Sequence, residues 1–198
     1  MKLRVLVACE FSQVVTKAFR ARGHEAYSCD LLPTEGNPDW HIQDDVLKHL
    51  DEDWDIIIAH PDCTYLTNSG VCWLHKDKSR WGKLDKAAEF FKIFSNHPCP
   101  KICIENPIPH KYALERIGRK YTQIIQPWMF GHTERKATCL WLKGLPELKE
   151  TNNVKEEMLK LPKAQQQRIH YLSPCPQRAH LRSITFRGIG EAMAQQWG

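Results

Sequence analysis

The sequence lacks any long apolar run, and no window approaches the roughly 18 uninterrupted apolar residues that a membrane-spanning helix needs. It also lacks internal repeats and low-complexity linkers. The opening segment turns acidic at Glu10, too early for a secretion signal, and is typical of a buried strand instead. These features argue against a membrane or repeat protein. They predict a soluble, cytoplasmic chain of 198 residues, the size of one domain with a modest appendage.

No repeated C-x-x-C pair is present, although the chain has eight cysteines. Several cysteines lie inside apolar runs such as Lys101–Ile104, where cysteine behaves as a small hydrophobic residue. Without an export signal, this usage favours reduced thiols over a disulfide framework. The loose cysteine–histidine spacings do not form a complete zinc ligand set, so no metal site is predicted.

Positive charge is scarce in the first third of the chain. Residues 1–62 contain 6 Lys and Arg against 12 Asp and Glu, whereas residues 63–198 contain 22 against 11. The basic part is consistent with a solvated surface and equally with a surface that faces phosphates. The acidic part suits a cationic or hydroxyl-rich cofactor if the asymmetry is functional.

Apolar runs alternate with amphipathic segments in the first half of the chain. Leu3–Cys9 and Asp55–Ala59 have the continuous apolar pattern of parallel strands buried on both faces. Helical spacing follows over Val14–Arg22 and stops at Gly23. Three further elements are predicted: the strands Glu25–Cys29 and Lys101–Ile104 and the helix Lys83–Ser95. This alternation predicts an α/β fold with a doubly wound, mostly parallel sheet.

The C-terminal part departs from this alternation. Thr122–Gln126 and Ala137–Leu142 have the pattern of two strands at an antiparallel end of the sheet. We therefore expect a catalytic and cofactor core over residues 1–142, a small basic insertion over residues 143–187 and a closing helix over residues 188–198.

Two carboxylates follow predicted strands in the acidic part. Ligands of open α/β sheets bind beyond the carboxyl ends of the strands. Asp30, at the end of the second strand, is placed to accept hydrogen bonds from the ribose hydroxyls of an adenosine cofactor. It is equally consistent with a surface residue that opens a loop. Asp45 is either an adenine-side acceptor or the cap of a helix over Val46–Leu50.

Two further corners carry reactive side chains. Cys63 follows the apolar strand Asp55–Ala59 through a turn that contains Pro61, a position suited to a nucleophile and also to a structural cysteine. Glu105 ends the strand Lys101–Ile104. It is a candidate general acid or, alternatively, the cap of a helix over Pro107–Ile117.

Together these corners resemble those of the cytosine-5 DNA methyltransferases, and most closely the small, mostly phage- or prophage-encoded members. The family has a cofactor loop after strand one, an acidic residue after strand two, a Pro-Cys nucleophile after strand four and a Glu-Asn pair after strand five. The segments that carry the resemblance cover nearly the whole chain: residues 8–12, 61–70, 105–107, 126–131, 138–146 and 192–197.

The resemblance implies a Rossmann-like methyltransferase fold and methyl transfer from S-adenosyl-L-methionine to carbon 5 of cytosine in DNA. It implies a Cys63 thiolate that adds to carbon 6, a Glu105 that protonates or hydrogen-bonds ring nitrogen 3, and an Asn106 that holds the loop of Glu105. The implied cofactor residues are Glu10, Phe11, Ser12, Asp30, Asp45 and Pro61. The implied nucleic-acid contacts are Arg135, Lys136, Arg178, Arg182 and Arg187.

The chain departs from the family pattern in three places. Gln13 stands where the cofactor loop is expected to have a glycine. Asp62 replaces the proline before the nucleophile and should raise the pKa of the Cys63 thiol unless His60 or a lysine offsets its charge. No separate target-recognition domain is present; the only candidate is the basic segment of residues 143–187.

These departures leave other functions open. The substrate is alternatively a pyrimidine nucleotide or single-stranded DNA, for which no base needs to be extruded from a duplex. Transfer to an exocyclic amine is a further possibility, against which the Glu105-Asn106 pair weighs. The last alternative is a non-enzymatic binding protein on a degenerate methyltransferase scaffold. The aromatic and basic residues that follow Cys63, including Tyr65, Trp73 and Trp81, either stack on a base or pack on the sheet.

Overall fold

A seven-stranded sheet forms the centre of the protein in the computed structural model, which describes residues 1–198. The strands are β1 (Arg4–Ala8), β2 (Glu25–Asp30), β3 (His41–Gln43), β4 (Ile56–Ala59), β5 (Lys101–Pro107), β6 (Gln123–Ile125) and β7 (Thr138–Lys143). Their order in the sheet is β3-β2-β1-β4-β5-β7-β6. The first five strands are parallel, and β7 is antiparallel to both β5 and β6. The doubly wound, mostly parallel sheet with an antiparallel end is therefore confirmed.

Nine α-helices surround this sheet. They are α1 (Val14–Ala21), α2 (Val71–Lys76), α3 (Ser79–Asn96), α4 (Lys111–Ile117), α5 (Lys155–Lys160), α6 (Lys163–Gln166), α7 (Arg168–Tyr171), α8 (Arg178–Ser183) and α9 (Arg187–Trp197). None of them combines the length and hydropathy of a membrane span.

The central strands are buried on both faces because each face has its own apolar core. One core contains Leu6, Ile57 and side chains of α3, such as Phe91. The other contains Val7 and Ile58 together with side chains of α1 and α9. Alternate side chains of one strand thus enter opposite cores, which explains the unbroken apolar runs of the sequence.

Helix α9 packs closely against α1. A Cβ on Gly190 would lie 3.3–3.5 Å from backbone and side-chain atoms of Val14 and Val15, so the missing side chain allows this approach. The side chains of Met193 and Trp197 are buried in the same core. The last helix therefore covers the sheet next to the loop that follows β1.

The strand register brings the ends of four parallel strands into line. The residues aligned across the sheet are Cys29, Ala8, Ala59 and Ile104. One position further along lie Asp30, Cys9, His60 and Glu105. Hydrogen bonds from the His60 amide to the Ala8 carbonyl (2.9 Å) and from the Glu10 amide to the Cys29 carbonyl (3.2 Å) continue the alignment past the strands. The predicted strand-end residues therefore share one edge of the sheet.

Strand β5 is longer than the sequence predicts. Its parallel pairing with β4 ends at Ile104, but its antiparallel pairing with β7 continues through Glu105 and Asn106 to Pro107. The Glu-Asn pair thus lies in the strand and not after it. The following helix, α4, starts only at Lys111 and is capped by His110, so Glu105 is not the cap of a helix over Pro107–Ile117.

Candidate functional site

A histidine and a glutamate from neighbouring strands form the centre of the site. His60 Nδ1 lies 2.8 Å from Glu105 Oε2, and only 14% and 12% of the two side chains are exposed. The contact is an ion pair by distance, although Glu105 Oε2 has no partner in good hydrogen-bond geometry. The sequence pattern singled out Glu105 but not His60 as its partner, because the pairing depends on the register of β4 with β5.

The pair favours its charged form. Burial opposes the charge on His60, yet Glu105 and Glu10 hold the pKa of this imidazole above its ordinary value. Burial likewise opposes the charge on Glu105, yet His60, Lys136 and the nearby Thr185 hold the pKa of this carboxyl below its ordinary value. The proton of the pair therefore rests on His60.

Cys63 lies in the neighbouring corner, in a turn stabilised by its own flanking residues. Asp62 Oδ1 accepts hydrogen bonds from the Thr64 amide (2.9 Å) and hydroxyl (2.5 Å). The thiol is half-buried, and burial together with Asp62 and Glu105 raises its pKa to about 11. Lys136 acts in the opposite direction. The predicted effect of Asp62 is thus present, and the offsetting cation is Lys136.

The two corners are tied to each other by the segment that leaves β5. The Asn68 amide donates to the Ile108 carbonyl (2.8 Å), and the His110 amide donates to the Leu66 carbonyl (3.1 Å). The buried His110 side chain accepts from the Ala113 amide at Nδ1 (3.0 Å) and contacts the Tyr65 carbonyl at Nε2 (2.9 Å). These contacts fix the chain after Cys63 relative to the chain after Glu105.

Three buried polar atoms of this corner have no hydrogen-bond partner: His60 Nε2, Glu105 Oε2 and Asn106 Oδ1. The Asn106 amide nitrogen donates to the Pro107 carbonyl (2.6 Å), so this fully buried side chain stabilises the end of β5 with one of its two polar atoms. Unpartnered buried donors and acceptors are costly and rare. Their concentration here indicates a site that a polar ligand completes.

The loop after β1 is held by its own side chains. Both oxygens of Glu10 accept hydrogen bonds at the start of α1, from the Val15 amide (2.8 Å) and from the Thr16 hydroxyl (2.7 Å). The carboxylate therefore stabilises a helix N-terminus, in addition to any cofactor contact. Phe11 and Ser12 follow it on the surface of the loop, half-exposed.

Gln13 adopts the left-handed backbone conformation for which a glycine was expected, with φ of 58°. Its buried side chain accepts from the Asn37 amide (2.7 Å) and donates to the Asn37 carbonyl (2.8 Å) and Ser28 hydroxyl (3.1 Å). Gln13 thus replaces the glycine in backbone conformation but fills the space beside it and fastens the loop after β2.

Carboxylates surround the end of β1. Cys9 is mostly buried, and burial raises the pKa of its thiol to about 12, with further contributions from Asp30, Asp45 and Asp62. Asp30 accepts from the Leu32 amide (2.9 Å), and Asp45 caps the 3-10 turn Val46–Lys48 through the Leu47 amide (3.0 Å). The capping alternative for Asp45 is observed, and the three carboxylates still make this edge negative.

Lys136 lies close enough to Cys63 and Glu105 for its charge to act on both. Its Nζ donates to the Arg182 carbonyl (2.9 Å), and its charge acts on Cys63, His60 and Glu105. Lys136 is half-buried, and its role as a nucleic-acid contact stays a prediction. The other predicted nucleic-acid residues are surface groups: Arg135, Arg178 and Arg182 are half-exposed, and Arg187 is exposed and paired with Glu191.

The segment of residues 178–185, here called the strap, crosses the carboxyl edge of the sheet. The rings of His180 and Phe11 have centroids 5.2 Å apart, and His180 also contacts Glu35 (3.0 Å); Thr185, at the other end of the strap, lies close enough to Glu105 to lower the pKa of its carboxyl. The strap therefore spans from the predicted cofactor loop to the His60–Glu105 pair. These contacts are not evident from the sequence, which indicated only a basic segment.

The aromatic segment after Cys63 forms helices. Trp81 packs against Tyr112 (4.9 Å between ring centroids) and, like Tyr65, borders the core on one face of the sheet. Only Trp73 is substantially exposed, at 52%. Packing on the sheet thus accounts for Trp81 and Tyr65, and base stacking stays a possibility for Trp73 alone.

The chain matches no protein-family model and no curated protein at a significant level. Among solved structures it is similar to a prophage-encoded Escherichia coli protein assigned as a DNA modification methyltransferase, with 15% identity and a TM-score of 0.43. It is also similar to the Entamoeba histolytica methyltransferase EhMeth, with 14% identity and a TM-score of 0.46. The matches cover 82% and 77% of this chain but only 56% and 58% of the two structures. At these values nothing about activity follows from the similarity.

Proposed function

We propose that this protein transfers a methyl group from S-adenosyl-L-methionine to carbon 5 of a cytosine in DNA through a covalent adduct with Cys63. The observation that carries the proposal is the convergence of Cys63, Glu105 and Lys136 at one corner that contains unpartnered buried polar atoms. This chemistry needs a thiol and an acid that reach the same pyrimidine ring.

The residues have complementary roles in this reaction. Cys63 loses its proton to solvent and its sulfur bonds to carbon 6, while ring nitrogen 3 gains a proton from Glu105. These two changes together make carbon 5 nucleophilic. After carbon 5 has been methylated, its proton leaves to a base, the bond from sulfur to carbon 6 breaks and nitrogen 3 returns its proton. Because the Cys63 pKa is about 11, Lys136 must favour the thiolate as the substrate excludes water.

The acidic edge near Cys9 fits a positively charged sulfonium cofactor. Asp30 and Asp45 would face its adenosine part, while Asp62 adds negative charge near the reacting atoms. Glu10 would support the cofactor loop through α1, since both its oxygens are already engaged. The cofactor supplies an electrophilic methyl group when it is bound.

Transfer of radiolabelled methyl to duplex DNA, single-stranded DNA and free cytidine nucleotides tests the proposal and identifies the substrate. We expect label at carbon 5 of cytosine, and loss of at least ~100-fold in rate for Cys63→Ser, since serine is a far weaker nucleophile. Cys72→Ser is the matched control because Cys72 is an exposed cysteine outside this corner.

Trapping separates this chemistry from its alternatives. An oligonucleotide with 5-fluorocytosine cannot release a carbon-5 proton, so the adduct should persist and be found on Cys63 by peptide mass spectrometry. Label on an exocyclic amine that survives Cys63→Ala would contradict carbon-5 chemistry. No binding of S-adenosylmethionine at millimolar concentration in calorimetry would instead favour a binding protein on this scaffold.

A further inference from the structure

His60 is a buried titratable residue that the reaction above does not use. It lies between Cys9 and Glu105 in the row of strand ends, and Pro61 follows it in the turn that leads to Cys63. Its Nδ1 is 2.8 Å from Glu105 Oε2, while its Nε2 is buried and has no partner. Satisfying both nitrogens of a buried imidazole normally requires two partners.

The surroundings of Glu105 conflict with its proposed role as the acid that protonates the ring. Three groups from different elements stabilise its carboxylate form: His60 after β4, Lys136 before β7 and Thr185 of the strap. A carboxylate has no proton to give to ring nitrogen 3. The proton must therefore come from a group that contacts Glu105, and His60 is the one such group that changes charge near neutral pH.

We propose that His60 is a positioning residue that holds the proton which Glu105 delivers to the pyrimidine ring, an inference that rests on the proposed function. During addition of Cys63, one proton moves from His60 Nδ1 to Glu105 and from Glu105 to nitrogen 3, and His60 becomes neutral. During elimination of Cys63, nitrogen 3 returns the proton to the pair, so the pair ends the cycle with the proton it began with. The carbon-5 proton leaves separately to a base.

The charged groups around His60 explain why it holds the proton before the substrate binds. Glu105 and Glu10 favour its imidazolium form and Lys136 opposes it, with burial acting in the same sense as Lys136. The proton on His60 Nδ1 has only 2.8 Å to cross between heavy atoms, and a small rotation of the imidazole or the carboxylate would align it with Glu105 Oε2. The unpartnered Nε2–H is then available to donate to a polar atom of the substrate or to water.

NMR of the wild-type protein tests the charge state without any variant or activity assay. We expect the ¹⁵N shifts of His60 to report imidazolium at pH 6.5 and the ¹³C carboxyl shift of Glu105 to report carboxylate. A neutral His60 beside a protonated Glu105 at this pH would overturn the proposal.

The pH dependence of kcat tests the role in catalysis. In the wild type, kcat should fall as pH rises through the titration of His60, because the pair has then lost its proton. His60→Gln should lower kcat by ~100-fold, remove this alkaline decrease and leave KM for DNA within a few-fold, since a lost general acid costs on the order of 10²–10⁴ in rate.

His49→Gln is the matched control, because His49 also contacts a glutamate (Glu52, 2.9 Å) but is not among the groups whose charge acts on Glu105 or Cys63. A folded His60→Gln protein with wild-type kcat and the same pH profile would overturn the inference while leaving the Cys63 adduct intact. A wild-type protein that forms no adduct with 5-fluorocytosine would overturn the proposed function instead.

Discussion

At the scale of single residues, Cys63 combines an accessible position with a thiol that resists ionisation. Burial and the neighbouring Asp62 both favour the neutral form, and Lys136 only partly compensates. The free protein therefore keeps its candidate nucleophile protonated at neutral pH. Such a thiol is protected from oxidation and alkylation until a substrate changes its surroundings.

The alkylation rate of Cys63 should reveal this state. Because the pKa is about 11, the thiolate fraction rises with pH, and the rate with iodoacetamide should increase about tenfold per pH unit between about pH 7 and 10. Lys136→Gln should slow the reaction at every pH in this range. Peptide mass spectrometry would measure Cys63 against the exposed Cys72. A rate that levels off near pH 8 would contradict the raised pKa.

Gln13 shows how a side chain can fasten a loop whose backbone conformation is one that glycine favours. The left-handed backbone conformation is unfavourable for glutamine but not for glycine. Hydrogen bonds of the Gln13 side chain with Ser28 and Asn37 compensate for this cost. As a result, the loop after β1 is fastened to the loop after β2. Gly36 makes room for this side chain.

Gly36→Ala should therefore destabilise the protein. A Cβ at this position would overlap the buried amide group of Gln13, which would have to give up its three hydrogen bonds, at about 1 kcal/mol each. Urea unfolding should show a loss of ~2–3 kcal/mol. Gly82→Ala is the control, since Gly82 lies inside α3 with open space around it and should gain about 0.5–1 kcal/mol. Equal stability of the two variants would contradict the packing described for Gln13.

At the scale of elements, the position of Cys63 relative to Glu105 depends on the link between the two strand exits. His110 is the central residue of this link because one nitrogen caps α4 and the other reaches the Tyr65 carbonyl. Burial lowers the pKa of His110, which keeps the imidazole neutral, as this double role requires. His110 thus caps the helix that follows Glu105 and holds the backbone that follows Cys63.

Comparison of His110→Asn with His110→Ala separates these two roles. Asparagine retains a good helix cap but cannot reach Tyr65, whereas alanine loses both contacts. We expect losses of ~1–2 kcal/mol for asparagine and about 1 kcal/mol more for alanine. Hydrogen exchange should speed up at the amides of residues 66–68 in both variants. Wild-type protection of these amides in His110→Asn would show that the link to Tyr65 is unimportant.

The length of β5 also depends on which strands pair with it. The apolar run ends at Ile104, which is the last residue that β4 can pair, but the antiparallel strand β7 pairs three residues more. The sequence of β5 alone has no signal for this extension, because it depends on a strand more than thirty residues later. Its consequence is that Glu105 stands on a rigid strand and not on a loop.

At the scale of the whole molecule, the His60–Glu105 pair should make stability depend on pH. The pKa of His60 is raised, so its contribution is complete below about pH 6.5 and is lost as pH rises through the folded-state value. The pKa of Glu105 is lowered, so its contribution is complete above about pH 4.5 and is lost as pH falls through the folded-state value. The pair thus stabilises most between these two values.

The double variant His60→Gln/Glu105→Gln should lose this dependence. The difference in Tm between wild type and variant should be largest near pH 5.5 and should shrink toward pH 8.5. The same comparison for His49 and Glu52, whose side chains are 23% and 41% exposed, should give a smaller difference because solvent screens the pair. A Tm difference that grows steadily above pH 7 would contradict the assigned charges.

Much of this protein follows from local sequence pattern. The apolar runs around β1 and β4 and the helical spacing before Gly23 predict the α/β architecture, because each pattern reflects burial of its own segment. The alternation of elements then places Asp30, Cys63 and Glu105 at one edge of the sheet, since parallel strands share their carboxyl end.

Only the tertiary structure decided which groups meet at that edge. The partners His60 and Glu105, the cation Lys136 beside Cys63 and the strap that reaches Glu105 through Thr185 all come from segments far apart in the chain. Strand register and loop paths set such contacts, and neither is encoded in the periodicity of a single segment. The sequence by itself therefore determined the fold and the reactive residues, while the packing determined the charge state in which those residues are held.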